Sequence, residues 1–214
     1  LKPSMEFNHK PGQYCTIGVN DVERPYSIAS APGEDNIELF IELVPHGELT
    51  PLLWPLNVGA ELTLRPRAKG VFVMNPDFKD QVMIATVTGV APYVSIIRNY
   101  LQTGQSGHKF HIIDGASFQD ELVYKEELAQ LASAHPNIIN YIPSVSRPTD
   151  ERNSGWDGEG KRVNLLVEPY IEQANLTNTD TVIYACGNPD MIEDVKERLI
   201  PRNFNVIEER FWKD

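Results

Sequence analysis

The pattern of apolar and polar positions changes once along the chain, near Asp77. Before it come the short β-prone runs QYCTIGV, RPYSIAS, NIELFIEL and ELTLRPRA, each bounded by Pro, Gly, Asp or Asn. Such runs predict short strands separated by turns. Between the last two, LTPLLWPL follows "PHGE" and predicts a short helical or irregular insert. This part reads as a small antiparallel β-barrel. Beyond Asp77, the continuous apolar run QVMIATV predicts a buried strand, and TGVAPYVSIIRNYLQ a turn and a helix. KFHIIDGA, NIINYIPSVS and TVIYACG predict further strands, with helices at DELVYKEELAQLASA, VNLLVEPYIEQA and PDMIEDVKERLI, and NVIEERFW reads as a last strand. Strands alternating with amphipathic helices imply a parallel sheet with helices on both faces. The expected fold is therefore two domains: an antiparallel β-barrel over residues 1–77, then an α/β doubly wound parallel sheet over 78–214. The polar, Gly-rich stretch SRPTDERNSGWDGEGKR is either a disordered surface loop or a binding loop.

Composition narrows the function. Thirty acidic residues against nineteen Lys and Arg leave a formal charge of −11. That argues against a general binder of nucleic acid or anionic membrane, which needs a cationic surface. No apolar run approaches the ~18 residues of a membrane span, and the first residues carry no signal-peptide pattern. A cytoplasmic protein is expected. The two cysteines, Cys15 and Cys186, are too few for an all-Cys iron–sulfur cluster and are not spaced as a metal pair, so no metal is expected.

Four stretches hold candidate chemistry. In Arg24-Pro25-Tyr26-Ser27, a guanidinium fork suits a pyrophosphate, a tyrosine face suits an aromatic ring, and a hydroxyl suits a ring nitrogen. The bland reading is a strand with an exposed Arg and a packed Tyr. His46-Gly47-Glu48-Leu49-Thr50 opens a short helix, where successive N–H groups attract anions, although a simple helix cap has the same sequence. Thr88-Gly89-Val90-Ala91-Pro92 follows a buried strand; its Gly permits close backbone approach and its Pro starts a helix. Cys186-Gly187-Asn188-Pro189-Asp190-Met191 repeats that strand–turn–helix design with a small thiol at the strand tip. Each signal is weak alone.

In this order and spacing, with the run from Ile37 to Leu64 and the terminus EERFW, the four stretches resemble the bacterial ferredoxin–NADP+ reductase family over nearly the whole chain. The resemblance implies FAD in the first domain and NADP(H) in the second. Arg24 would hold the FAD pyrophosphate beside Pro25, Tyr26 would stack on the isoalloxazine, and Ser27 would reach its N5 edge. Phe40, Ile41, Glu42 and Leu43 would run along the flavin and ribityl chain. Gly47, Glu48, Leu49 and Thr50 would meet the FAD phosphates. Thr88, Gly89, Val90 and Pro92 would line the junction of the two nucleotides, and Gly187, Asn188, Pro189 and Met191 would contact the nicotinamide half. Ser27, Cys186, Glu209 and Phe211 are the expected catalytic set: Cys186 near nicotinamide C4, Glu209 as the terminal acid, Phe211 as an aromatic lid. Trp212 would pack elsewhere on FAD.

The implied reaction is hydride exchange between nicotinamide C4 and flavin N5, followed by one-electron exchange with ferredoxin or flavodoxin. The cofactors supply that chemistry and the protein positions them. Ser146, Arg147 and Arg162 align with residues that take the 2′-phosphate, while Ser117 stands where some relatives carry another arginine. Val87 replaces the usual first glycine of the nucleotide turn, and no strand is found before "KPGQY". Arg65, Arg67 and Lys69 in "LRPRAKG" would share one face of a strand and offer acidic carriers a docking patch; a solvated edge is the plainer reading. Alternatives are an NAD(P)H reductase component or flavin reductase serving another acceptor, or an electron-transfer subunit of a larger complex.

Overall fold

The computed structural model describes residues 1–210; the expected lid Phe211 and its neighbour Trp212 lie outside the described residues. By its contacts the chain divides into two units, Leu1–Val73 with Ala91–Gly104, and Met74–Val90 with Gln105 onward.

In the first unit, β1 (Tyr14–Val19) and β2 (Val22–Ser27) form an antiparallel hairpin. Its two loop residues, Asn20 and Asp21, have φ of 49° and 64°, the conformation that a tight primed turn requires and that Asn and Asp tolerate. A two-residue β3 (Thr63–Leu64) pairs with the other edge of β1, giving the order β2-β1-β3. Helix α1 is the single turn Thr50–Leu53. Cys15, Ile17, Ile28, Ile37 and Leu49 form the core of this unit.

Two strand expectations fail here, and the sheet is antiparallel as expected but is not seen closed among the described residues. NIELFIEL makes only an isolated bridge, Leu39 to Ile28. Its alternation instead turns Leu39 and Ile41 onto the core without a ladder partner. ELTLRPRA keeps only Thr63–Leu64 as strand, because Pro66 has no N–H for a ladder. Arg65, Arg67 and Lys69 therefore do not share one strand face. The ladders among the described residues comprise three strands that do not close on themselves. Helix α2 (Ala91–Gln102) completes the unit. Ser95 Oγ donates to the Ser30 carbonyl at 2.7 Å, Arg98 pairs with Glu38 at 2.7 Å, and the Tyr93 ring lies 5.8 Å from that of Phe72.

The second unit is a five-stranded parallel sheet: β4 (Asp80–Thr86), β5 (Lys109–Ala116), β6 (Ile139–Val145), β7 (Thr181–Gly187) and β8 (Asn205–Arg210), ordered β6-β5-β4-β7-β8. The middles of its central strands are mostly apolar because both faces are covered. Val82, Ile84, Ile113, Ile183 and Ala185 pack under α4 (Val163–Gln173) and α5 (Pro189–Leu199). Met83, Ile112 and Tyr184, in register across three strands, point the other way and are equally buried. Helix α3 (Lys125–Ala134) packs on β6.

Toward the amino ends of the strands, a polar chain runs inward from the exposed Asn140, whose Nδ2 donates to the Tyr170 hydroxyl at 2.6 Å. It continues from that hydroxyl to His111 Nδ1 at 2.6 Å and from His111 Nε2 to Asp80 Oδ1 at 3.0 Å. Desolvation lowers the His111 pKa against the pull of Asp80. The neutral imidazole with its proton on Nε2 satisfies each partner in that direction.

Candidate functional site

The sheet order places β4, the first strand of the second unit, beside β7, its fourth. The chain reverses direction across the sheet at that point, and open α/β sheets bind ligands beyond the strand tips there. The tips of β4 and β7 touch. A Cβ on Gly89 would lie 2.6 Å from the Cys186 carbonyl carbon and 2.9 Å from the Gly187 nitrogen. A Cβ on Gly187 would lie 2.7 Å from the Thr86 carbonyl oxygen, and Gly187 has φ of 122°. Both positions exclude a side chain. Thr86 Oγ1 accepts the Asn188 N–H at 2.7 Å, and Asn188 Oδ1 in turn caps α5 by accepting the Met191 N–H at 3.1 Å. Pro189 occupies the first turn of α5, where its missing N–H costs nothing. Thr88, Gly89 and Val90 lie in the 3₁₀ turn Val87–Val90, and Pro92 is the second residue of α2.

Val87 takes φ of 48°, a left-handed conformation that costs a β-branched residue about 1–3 kcal/mol. The backbone thus keeps the shape a glycine gives this turn. The valine side chain packs against the cluster of Ala116, Leu122 and Val145, a gain that a glycine would forgo.

Cys186 and Glu209 are register partners on β7 and β8, so two of the expected catalytic residues are neighbours. The Cys186 thiol is fully buried, and burial, reinforced by the Glu209 charge, pushes its pKa well up. It is a compact neutral group at neutral pH, unsuited to thiolate chemistry. Cys15 is likewise buried, its thiol pushed up to about 11.

In the first unit, Arg24 donates to the Glu23 carbonyl at 2.7 Å and forms an ion pair with Glu48. This pair joins the Arg24–Ser27 strand to the Gly47–Thr50 turn. Tyr26, opposite Cys15, packs on the core, and burial raises its phenol pKa while Arg24 lowers it. Ser27 ends β2, nearly buried. The Thr50 hydroxyl is engaged with Val44, accepting its N–H at 2.9 Å and donating to its carbonyl at 3.1 Å. Phe40 to Leu43 follow the Leu39 bridge without ladder structure. Arg65 is held by Glu23 through two hydrogen bonds, Nε at 2.8 Å and Nη2 at 2.5 Å.

At the tips of β5 and β6, the stretch from 146 to 162 is ordered, with a 3₁₀ turn at Glu151–Asn153 and a bridge from Glu159 to Ser144. Ser117 and Phe118 give their N–H groups to Glu121, each at 3.1 Å. Arg152 lies 3.7 Å from the Phe118 ring centre and donates to both carboxylate oxygens of Asp120, at 2.8 and 2.9 Å. Arg147 lies 5.2 Å from the same ring, and among the described residues neither it nor Arg162 forms an ion pair. Ser146, Arg147 and Ser117 are thus brought together. Arg162 stands just before α4. The residue that sequence reasoning missed is Asn153, which is buried among these turns.

The family model for the oxidoreductase NAD-binding domain matches residues 83–197. The chain is 27% identical to the flavodoxin/ferredoxin–NADP reductase of Buchnera aphidicola subsp. Schizaphis graminum, over 94% of this chain and 87% of that protein. It is 28% identical to the reductase component of the Pseudomonas putida naphthalene 1,2-dioxygenase system, over 90% of this chain and 56% of that protein. A ferredoxin NADP+ reductase from Neisseria gonorrhoeae, solved with bound FAD and NADP, superposes with a TM-score of 0.80 at 25% identity, over 99% of this chain and 90% of that one. The chain belongs to the oxidoreductase NAD-binding domain family.

Proposed function

We propose that this protein is an FAD-dependent oxidoreductase that takes a hydride from NADPH and passes single electrons to ferredoxin or flavodoxin. The observation that carries the reading is the mutual close approach of Gly89 and Gly187 at the point where the sheet order reverses. The close contact of these two turns, joined by Thr86 and Asn188, fixes the strand tips where ligands of open α/β sheets bind. The residues fit a flavin dinucleotide as well. Among the described residues the Arg24 guanidinium has only an exposed carboxylate for an ion-pair partner, which a phosphate can displace. Bound there, FAD would supply hydride acceptance and one-electron release. Arg24 holds its pyrophosphate, Tyr26 and Ser27 address the ring, Phe40 to Leu43 follow the ribityl chain, and the Gly47–Thr50 backbone meets the phosphates. Cys186 and Glu209 would shape the nicotinamide end; the expected lid residues Phe211 and Trp212 lie outside the described residues.

Purified protein should show flavin absorption bands that bleach on adding NADPH. A colourless protein that also fails to bind added FAD would overturn the reading. Glu48→Gln frees Arg24, and the FAD dissociation constant is expected to fall about threefold, as befits an exposed pair. Flavin-fluorescence titration of the apoprotein measures it; an unchanged constant removes Glu48 from the site.

Arg147 and Arg162 are assigned to the 2′-phosphate, with Ser117 and Ser146 beside them. Arg147→Ala should raise KM for NADPH at least about tenfold and leave KM for NADH nearly unchanged. Steady-state kinetics with both nucleotides checks this, and equal effects defeat the assignment. The second reading, an NADH-consuming reductase component, is favoured by Glu121, whose carboxylate already takes the Ser117 and Phe118 amides. Arg67 and Lys69 remain the docking cations for an acidic carrier, Arg65 being held by Glu23.

A further inference from the structure

Asn153 is 2% exposed, and its side chain makes three hydrogen bonds, two to the turn after β5 and one to Arg147. Its Oδ1 accepts the Gln119 N–H at 2.7 Å. Its Nδ2 donates to the Ser117 carbonyl at 3.0 Å and to the Arg147 carbonyl at 2.8 Å. Both donors and one acceptor site of the amide are used, which no other uncharged side chain of this size provides. The Arg147 carbonyl also accepts the Asp150 N–H at 3.0 Å, so both of its lone pairs are occupied. Pro148 follows and restricts Arg147 to extended backbone. The Arg147 main chain is therefore held from three sides. Nearby, Arg152 is committed to Asp120 and to the Phe118 ring, whereas Arg147 lies 5.2 Å from the centre of that ring and forms no ion pair among the described residues.

We propose that Asn153 is the positioning residue of the nucleotide's adenylate-end site: it pre-aims Arg147 and fixes Ser117 beside it, so that a 2′-phosphate meets an ordered arginine. The inference rests on the assignment of Arg147 to that phosphate. A flexible arginine would have to be ordered on binding, and holding the backbone beforehand removes part of that cost. Asn153 acts through Arg147 and does not touch the nucleotide itself.

The test is calorimetric binding of adenosine 2′,5′-bisphosphate and of 5′-AMP to the full chain. Asn153→Ala should weaken the bisphosphate about tenfold and 5′-AMP by less than about twofold. Asn153→Ser, which retains one hydroxyl, should fall between Asn153→Ala and the natural protein. In an Arg147→Ala background the Asn153 substitution should add nothing, because the arginine it positions is gone. The proposal is overturned if Asn153→Ala leaves the bisphosphate unchanged, if both ligands weaken equally, or if the two substitutions add. It is also overturned if neither Asn153 variant folds, since Asn153 would then serve the fold. If Arg147→Ala itself binds the bisphosphate normally, the underlying assignment of Arg147 fails. If Arg147→Ala weakens it and Asn153→Ala does not, only the role of Asn153 fails.

Discussion

Gly187→Ala is expected to lower dinucleotide-dependent reduction of a soluble dye by at least about 100-fold, and to destabilise the protein by about 2–4 kcal/mol. Two costs combine. The backbone there has φ of 122°, which side chains rarely adopt, and a Cβ would press on the Thr86 carbonyl oxygen at 2.7 Å and on the Thr86 hydroxyl. Neither neighbour yields cheaply. The carbonyl belongs to the central strand β4, and the hydroxyl holds the Asn188 N–H at 2.7 Å. Moving it disturbs the residue that caps α5. Gly59→Ala provides the control. Its φ is 97°, but nothing lies within 4 Å of the added Cβ, so strain alone should cost about 1 kcal/mol and leave turnover unaffected. Turnover and thermal unfolding of the two variants separate clash from strain. Turnover within threefold of the natural protein in Gly187→Ala would refute the close-approach argument.

The same contrast explains what the sequence could reveal. Strands buried on both faces are continuous apolar runs, so KFHIIDGA coincides with β5 and TVIYACG with β7. The glycine turns were legible because Gly and Pro mark sites where backbone must come close. In the first unit, alternation misled. Ile37, Leu39 and Ile41 alternate because they face a core, and a core-facing segment needs no ladder partner. Pro66 gave a usable warning against a long strand at ELTLRPRA. At Val87 the sequence departed from the glycine pattern while the backbone did not. That strain is offset by packing on the cluster of Ala116, Leu122 and Val145, which lies far along the chain and is therefore invisible locally. Asn153 was hidden for a related reason: an asparagine in a polar loop has no local mark of burial, and two of its three partners, Ser117 and Gln119, come from a turn distant in sequence.

Asp114→Asn should change the pH dependence of stability. Asp114 is 1% exposed on β5, accepts the Tyr141 hydroxyl at 3.1 Å on Oδ2, and has no partner for Oδ1. Burial pushes its pKa from 3.8 up to about 7, against the smaller lowering effect of Tyr141. The folded protein therefore holds a proton that the unfolded chain releases. The contribution is fully present below about pH 4 and is lost as pH rises to about 7, on the order of 4 kcal/mol in all. His111 works in the opposite direction. Its pKa is lowered in the fold, so its contribution is present at neutral pH and is lost as pH falls below 6.5, its ordinary value. Asparagine keeps an acceptor for Tyr141 and cannot ionise, while His111 is the same in both proteins and cancels in their difference. Between pH 5.5 and 8, the stability of Asp114→Asn relative to the natural protein should thus rise by about 2 kcal/mol. Urea unfolding across that range measures it. Parallel profiles would mean that Asp114 is already ionised in the fold, and that its burial is relieved by a partner for Oδ1.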